Sequence, residues 1–233
     1  MTPLSDALPL SAYRDSLQRY LGSIAFSFDS VAGSIISARL ARGYARDPLR
    51  PCLLLWSCAA NGAEIADALP VAASFDLFDR FMLLHDELAD EDAHAIAAWG
   101  LGQSLNAGDA LYAVAFRSLA SDVVNPARRL HAARVVAEAV LEAIERRDGA
   151  AGAQRALTGA ALQAGATIGG AADVVALAFG RAGRALGMAR AAGDAAAAGR
   201  FARESIESLR PYARPGDLDA FAEIALEIAR RAA

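Results

Sequence analysis

The sequence predicts an all-α protein built as one helical bundle. Eight prolines divide the 233-residue chain into segments, and apolar residues recur at helical spacing within these segments. No segment shows the sustained alternation of β-branched and polar residues that is typical of a strand. The length fits one domain, so we expect residues 1–233 to form a single helical domain.

Ten helices are predicted, taken in order between these breaks. The predicted ranges are 10–22, 28–45, 50–62, 67–92, 94–120, 126–148, 151–170, 172–193, 195–210 and 217–232. Asn125–Pro126 separates the fifth helix from the sixth, and Arg214-Pro215-Gly216-Asp217 precedes the last, with Asp217 as the expected N-cap. Residues 149–199 are rich in Ala and Gly, which suits close helix packing and equally a weakly specified region.

Composition excludes several classes of function. The hydrophobic fraction of 55% is largely alanine, and the longest uncharged stretch, 156–172, is too short and too polar to span a bilayer. A net charge of −4 argues against sequence-independent nucleic-acid binding, which needs a basic surplus. The N-terminus has no basic region before an apolar segment, so we expect a cytoplasmic protein. Cys52 and Cys58 match no metal-ligand spacing and are expected to be buried free thiols.

An acidic cluster at the end of the fourth predicted helix is the strongest chemical signal. Asp86, Glu87 and Asp90 fall at i, i+1 and i+4, so the two aspartates share one helix face. Phe78 and Met82 form an apolar stripe upstream, which predicts that the acids end a buried helix. Clustered carboxylates repel one another unless a cation neutralises them, and Mg²⁺ is the natural partner. A solvated helix end, without metal, is the alternative.

The order of segments around this cluster resembles the trans-isoprenyl diphosphate synthases, also called the polyprenyl synthetase family. LRPCLLLWSCAANG (49–62), LLHDELADED (83–92) and WG…AGDAL (99–111) correspond to the family's LRP segment, HDDxxD motif and AGDALL helix. A weaker match continues through TGAAL (158–162) and RAGRALGMA (181–189). The resemblance implies an isoprenoid-synthase-like helical bundle, shortened relative to the family.

The resemblance also implies roles for single residues. Family members condense an allylic diphosphate with isopentenyl diphosphate, using three Mg²⁺ ions held by two aspartate-rich motifs. Asp86 and Asp90 match the outer aspartates of the first motif, and Glu87 stands where the second aspartate would be. Arg50 matches the arginine that binds isopentenyl diphosphate. His85 precedes the motif as in the family, where we expect a packed, hydrogen-bonded histidine rather than a catalytic one.

A prenyl-binding cavity is expected beneath the first motif. Phe75, Phe78, Asp79 and Met82 are predicted to line it. Asp79 is a charge within an apolar stripe, at a position where the family often has His. It is either a functional carboxylate that faces the cavity or the partner of a cation, such as Arg80 or an arginine of another helix.

Several parts of the family's catalytic apparatus are missing. The Lys-Thr pair that binds diphosphate is Leu157-Thr158 here, and the Arg-Arg pair after the first motif is replaced by the alanine-rich EDAHAIAA of 91–98. Of the second aspartate-rich motif only Asp194 remains. Because loss of one preorganised electrostatic stabiliser costs on the order of 10²–10³ in rate, we expect elongation to be impaired by roughly 10⁴ or more.

Three functions fit this pattern. The first is a non-catalytic or regulatory subunit, working as a homodimer or as a heterodimer with a full-length prenyl diphosphate synthase. The second is a Mg²⁺-dependent enzyme that acts on a prenyl diphosphate by altered chemistry, either prenyl transfer to another acceptor or terpene cyclisation. The third is a protein of the same fold that no longer handles diphosphates.

Overall fold

The computed structural model of the protein describes residues 10–24, 31–41, 47–89, 99–121, 123, 125–145 and 149–232. Within these ranges the chain forms ten helices and no strand, which confirms the predicted all-α class. The helices are α1 (Ser11–Ser23), α2 (Val31–Ala41), α3 (Leu49–Ala60), α4 (Ile65–Ala89), α5 (Leu101–Ser121), α6 (Pro126–Glu145), α7 (Gly149–Gly169), α8 (Asp173–Ala191), α9 (Ala195–Leu209) and α10 (Pro215–Arg231).

Two hydrophobic cores meet at α3 and α7, which contribute to both. The first core joins these helices to α1, α2, α4, α5 and α6, and the second joins them to α8, α9 and α10. Every residue of α3 from Leu49 to Cys58 is buried. Its Trp56 lies in the second core, where the indole stacks on Phe221 with ring centroids 5.2 Å apart. Any charged group carried by α3 is therefore held between two apolar layers.

The two cysteines belong to different cores. Cys52 packs in the second core and Cys58 in the first. Both are free thiols, and burial raises the pKa of each to about 12. The prediction of buried free thiols is confirmed.

The alanine- and glycine-rich segment 149–199 is a region of close helix packing and not a weakly specified one. Helices α7 and α8 approach so closely that a Cβ atom on Gly183 would overlap the backbone carbonyl oxygen of Thr158. The same atom would lie 2.9 Å from Cα of Gly159, a separation that real Cβ contacts essentially never show. Small residues are therefore required along this contact, since larger ones would force the helices apart.

Several helix starts differ from the prediction, and the largest difference is at α5, which begins at Leu101 rather than at 94. Helix α4 begins at Ile65 and continues through Pro70, which forfeits one backbone hydrogen bond because proline has no N–H. Helix α10 begins at Pro215, with Arg214 as its N-cap, so the prediction of Asp217 as the cap is wrong. Proline is preorganised for the first helical turn, and Asp217 lies inside that turn.

None of the helices in the described ranges combines the length and the apolar character that crossing a bilayer requires.

Candidate active site

A cavity of about 180 Å³ lies between α3, α4, α6 and α7. It has roughly the size of a ~150 Å³ cavity that holds one benzene molecule. Its lining residues are Arg50, Asp79, Met82, Asp86, Ala143, Gly149, Ala150, Ala153, Gln154 and Leu157. One wall thus carries the charged groups of α3 and α4, and the other is the alanine-rich first half of α7. Sequence reasoning missed this second wall, because alanine and glycine carry no chemical signal.

The buried arginine of α3 is held by a carboxylate of α4. Arg50 donates from Nη2 to Oδ1 of Asp79 at 2.6 Å, and the two side chains are only 5% and 10% exposed. Of the alternatives for Asp79, the structure shows an ion pair with an arginine of another helix, and Asp79 also lines the cavity. Arg80 pairs instead with Asp76 of its own helix.

A second buried ion pair lies one turn earlier on the same helix. Arg80 donates from Nε to Oδ2 of Asp76 at 2.6 Å, and both side chains are almost fully buried. Burial raises the pKa of Asp76 to about 6, against the opposing effect of Arg80. This pair was not predicted, although its i, i+4 spacing of opposite charges was visible in the sequence.

The predicted metal-binding acids are placed only in part. Asp86 and Glu87 are half-buried near the end of α4, and Asp86 lines the cavity. Asp90 lies outside the described residues. No group of three or more His, Cys, Asp or Glu side chains able to hold a metal occurs in the part of the chain that the structure describes. Mg²⁺ needs only one or two protein carboxylates and completes its shell with water, so Asp86 and Glu87 stay the predicted ligands among the described residues.

The predicted lining residues divide into two groups. Met82 and Asp79 line the cavity. Phe75 and Phe78 are 2% and 1% exposed and belong to the first core. The ring of Phe78 meets the ring of Phe116 edge-on at 5.2 Å. Phe75 and Phe78 therefore support the cavity-bearing helix from the core side, and their contact with a prenyl chain stays a prediction.

The histidine before the acidic cluster is packed but not hydrogen-bonded. The His85 ring lies on Phe81 with centroids 4.5 Å apart. Its Nε2 atom is 3.9 Å from the Asp109 carboxylate, beyond hydrogen-bond distance, and has no hydrogen-bond partner among the described residues. The expectation of a packed residue is met, and that of a hydrogen-bonded one is not.

A bridge of charges ties α6, α7 and α8 together beside the cavity. Glu142 accepts hydrogen bonds from Arg184 Nη2 at 2.7 Å and from Arg155 Nη2 at 3.0 Å. The hydrogen bond from Arg184, and then that from Arg155, lowers the pKa of Glu142. Each of these arginines thus already holds a carboxylate.

Asp194, which the resemblance predicts to be the remnant of a second aspartate-rich motif, is a helix cap. Helix α8 ends at Ala191, and α9 begins at Ala195. Between them Asp194 has extended backbone and accepts a hydrogen bond from the Ala197 N–H at 2.8 Å. Its carboxylate therefore stabilises the start of α9.

Comparison with known proteins finds relatives over part of the chain. Geranylgeranyl diphosphate synthase of Mycobacterium tuberculosis is 40% identical over 76 residues, 30% of this chain and 22% of that enzyme. Geranylgeranyl diphosphate synthase of Methanosarcina mazei is 31% identical over 103 residues, 42% of this chain and 32% of that enzyme. The matched segments thus span about a third or less of these relatives' length. No protein-family model matches the chain.

Solved structures match over nearly the whole chain at low identity. The geranylgeranyl pyrophosphate synthetase of the archaeon Geoglobus acetivorans superimposes with a TM-score of 0.83 and 16% identity, over 95% of this chain and 99% of that one. A deletion mutant of the heterotetrameric geranyl pyrophosphate synthase of mint gives 0.76 and 19%, over 93% and 98%. The chain is therefore similar in sequence, over part of its length, to geranylgeranyl and farnesyl diphosphate synthases, and it has the all-α fold of the prenyl diphosphate synthases on which it superimposes.

Proposed function

We propose that this chain is a prenyl diphosphate synthase-like protein that is impaired in chain elongation and acts as a non-catalytic or regulatory subunit. The observation that carries the proposal is the break between α8 and α9. The family's second metal-binding motif would follow the segment that ends α8, and the one acid left there caps the next helix. A carboxylate committed to a backbone N–H is poorly available for a metal ion.

The diphosphate-binding side of the cavity supports the same conclusion. Leu157, an apolar side chain, lines the cavity at the position of the family's lysine. Arg50 is bonded to Asp79. With Asp86, the lining carries two carboxylates against one guanidinium, so its formal charge is negative. A negatively charged cavity is a poor site for a diphosphate unless cations are added.

A partner chain would supply what this one lacks. The mint neighbour is a heterotetrameric enzyme, so this fold does occur in mixed assemblies. The subunit proposal includes a homodimer, or a heterodimer with a full-length prenyl diphosphate synthase. In the heterodimer the partner performs elongation, and this chain changes its product or its rate.

The alternative is a Mg²⁺-dependent enzyme with altered chemistry on a prenyl diphosphate. The half-buried position of Asp86 at the cavity, with the half-buried Glu87 next to it in the chain, favours it. These two residues would hold the ion, which when bound would neutralise the leaving diphosphate. The apolar wall formed by α7 would face the prenyl group and exclude water.

The test is turnover by the purified chain with Mg²⁺, isopentenyl diphosphate and geranyl or farnesyl diphosphate. We expect elongation to be slower by roughly 10⁴ or more than in a full-length synthase, because several electrostatic stabilisers are absent. Co-purification with a full-length synthase of the same organism, and a change in that enzyme's product length, are the expected positive results. Efficient elongation by the chain alone would overturn the proposal. Release of pyrophosphate without elongation, abolished by Asp86→Asn, would favour the alternative.

Asp194→Ala tests whether this carboxylate is a cap. We expect the free energy of unfolding to fall by about 0.5–2 kcal/mol, the usual cost of losing an N-cap. Urea denaturation measures this change. Asp194→Ser, which keeps a capping oxygen, should restore most of the stability. If Asp194→Ala left stability unchanged but weakened Mg²⁺-dependent binding of a prenyl diphosphate, Asp194 would be a metal ligand instead.

A further inference from the structure

The bond between Arg50 and Asp79 lies in the wall of the cavity itself. Both residues line the cavity, and both are almost fully buried. The 2.6 Å separation of Nη2 and Oδ1 is short for a charge-assisted hydrogen bond. The one guanidinium among the described residues that line the cavity is thus already bonded to an anion of the same chain.

An incoming diphosphate would compete with Asp79 for this guanidinium. The two anions cannot lie side by side in a low-dielectric cavity without strong repulsion. If Asp79 gave up Arg50, its own carboxylate would be left buried without a cation, which is costly. Either way the diphosphate binds more weakly than it would to an arginine without an internal partner.

The neighbouring pair shows that a buried aspartate on α4 need not enter the cavity. Asp76 lies three residues earlier, is equally buried and is paired with Arg80 of its own helix. Neither Asp76 nor Arg80 is among the residues that line the cavity. The two pairs therefore share their chemistry and differ in whether they face the candidate site.

We propose that Asp79 is an internal anion that occupies Arg50 and so sets the low affinity of this site for diphosphates. The inference rests on the proposed function, in which Arg50 is the diphosphate-binding residue of the cavity. Asp79 is then a specificity-determining residue. A ligand or partner that draws Asp79 away would open the site to a diphosphate.

The experiment compares binding of inorganic pyrophosphate to three forms of the full chain. Titration calorimetry in Mg²⁺-free buffer gives Kd for the wild type, Asp79→Asn and Asp76→Asn. We expect Asp79→Asn to bind pyrophosphate about tenfold more tightly or better, because the anion replaces a lost partner of Arg50. Asp76→Asn removes an equally buried charge from the same helix and should leave Kd unchanged. Adding Arg50→Gln to Asp79→Asn should abolish the gain.

Each outcome decides the proposal. Equal Kd values for the wild type and Asp79→Asn overturn the inference but leave a diphosphate site in place. Absence of binding to both overturns the inference and the diphosphate site together. An equal gain in pyrophosphate affinity in Asp76→Asn also overturns the inference, since removal of any negative charge from α4 would then explain the tighter binding.

A folding defect would not prevent the test. If Asp79→Asn is unfolded in plain buffer, refolding is measured with pyrophosphate and with sodium chloride of equal ionic strength. Recovery with pyrophosphate alone supports the proposal, because a ligand of the folded state stabilises it by mass action. Failure to recover, or equal recovery in both salts, overturns it.

Discussion

Replacing Gly165 with alanine is expected to lower the free energy of unfolding by about 3 kcal/mol or more. A Cβ atom there would overlap the backbone carbonyl oxygen of Leu54 and lie 2.9 Å from Cβ of Ser57. Neither is the end of a flexible side chain, so α3 and α7 must separate. Because these helices contribute to both cores, their separation disturbs packing throughout the bundle.

Chemical denaturation measures the effect, and Gly199→Ala is the matched control. Gly199 lies within α9, and its added Cβ would meet only Arg203 Nη1, at an ordinary distance of 3.6 Å. We expect this control to raise the free energy of unfolding by about 0.5–1 kcal/mol, since alanine restricts the unfolded chain more than glycine. Equal stability of the two variants would contradict the packing of α3 on α7.

Replacing Arg80 with methionine should lower the free energy of unfolding by a comparable amount, because it breaks a buried ion pair. The substitution leaves the Asp76 carboxylate buried without its partner. Removing one member of a buried ion pair usually costs about 3–5 kcal/mol, and we expect a loss of this size near pH 8.

The loss should shrink as the pH falls. Burial already raises the pKa of Asp76 from 3.8 to about 6, and Arg80 opposes that rise. A carboxyl with a raised pKa stays protonated in the folded state after the unfolded chain has lost its proton. Stability from this group therefore falls as the pH rises between 3.8 and about 6, and is lowest above that range. Without Arg80 the pKa of Asp76 rises further, so stability falls over a wider range of pH.

Urea denaturation at about pH 5 and pH 8 checks both parts. The double variant Arg80→Met with Asp76→Leu is the control, since removal of both charges leaves nothing unpaired. It should be more stable than Arg80→Met alone and should lose the pH dependence that Asp76 contributes. A loss that is the same at both pH values would contradict the role given to the Asp76 carboxylate.

The helices could be predicted from the sequence because their signals are local. Prolines and helical periodicity predicted ten helices, and of the ten in the described ranges nine begin within three residues of the predicted start, while α5 begins seven residues later. The errors fall at helix starts, where one residue decides the outcome. Pro215 begins α10 before the aspartate that had been expected to cap it.

The site was only partly predictable because its decisive contacts join distant segments. Arg50 and Asp79 were both singled out, but the bond between them crosses from α3 to α4 and has no sequence periodicity. Asp76 and Arg80 are four residues apart on one helix, so their pairing could have been predicted from the sequence. The position of Gln154 at the cavity could not be predicted, because only the packing of α7 brings it there.

The contact between α7 and α8 has a consequence for how this protein can change over evolution. Alanine and glycine look like the most interchangeable residues in the chain, yet at Gly183 even one added methyl group meets backbone. Val174 and Leu177 on the same helix are more than half exposed and meet no such limit. Substitutions should therefore accumulate at the large apolar positions on the surface of α8 while the small ones stay fixed, the reverse of the pattern in an ordinary amphipathic helix. In α8 the smallest side chains therefore mark the positions at which substitution is most strongly restricted.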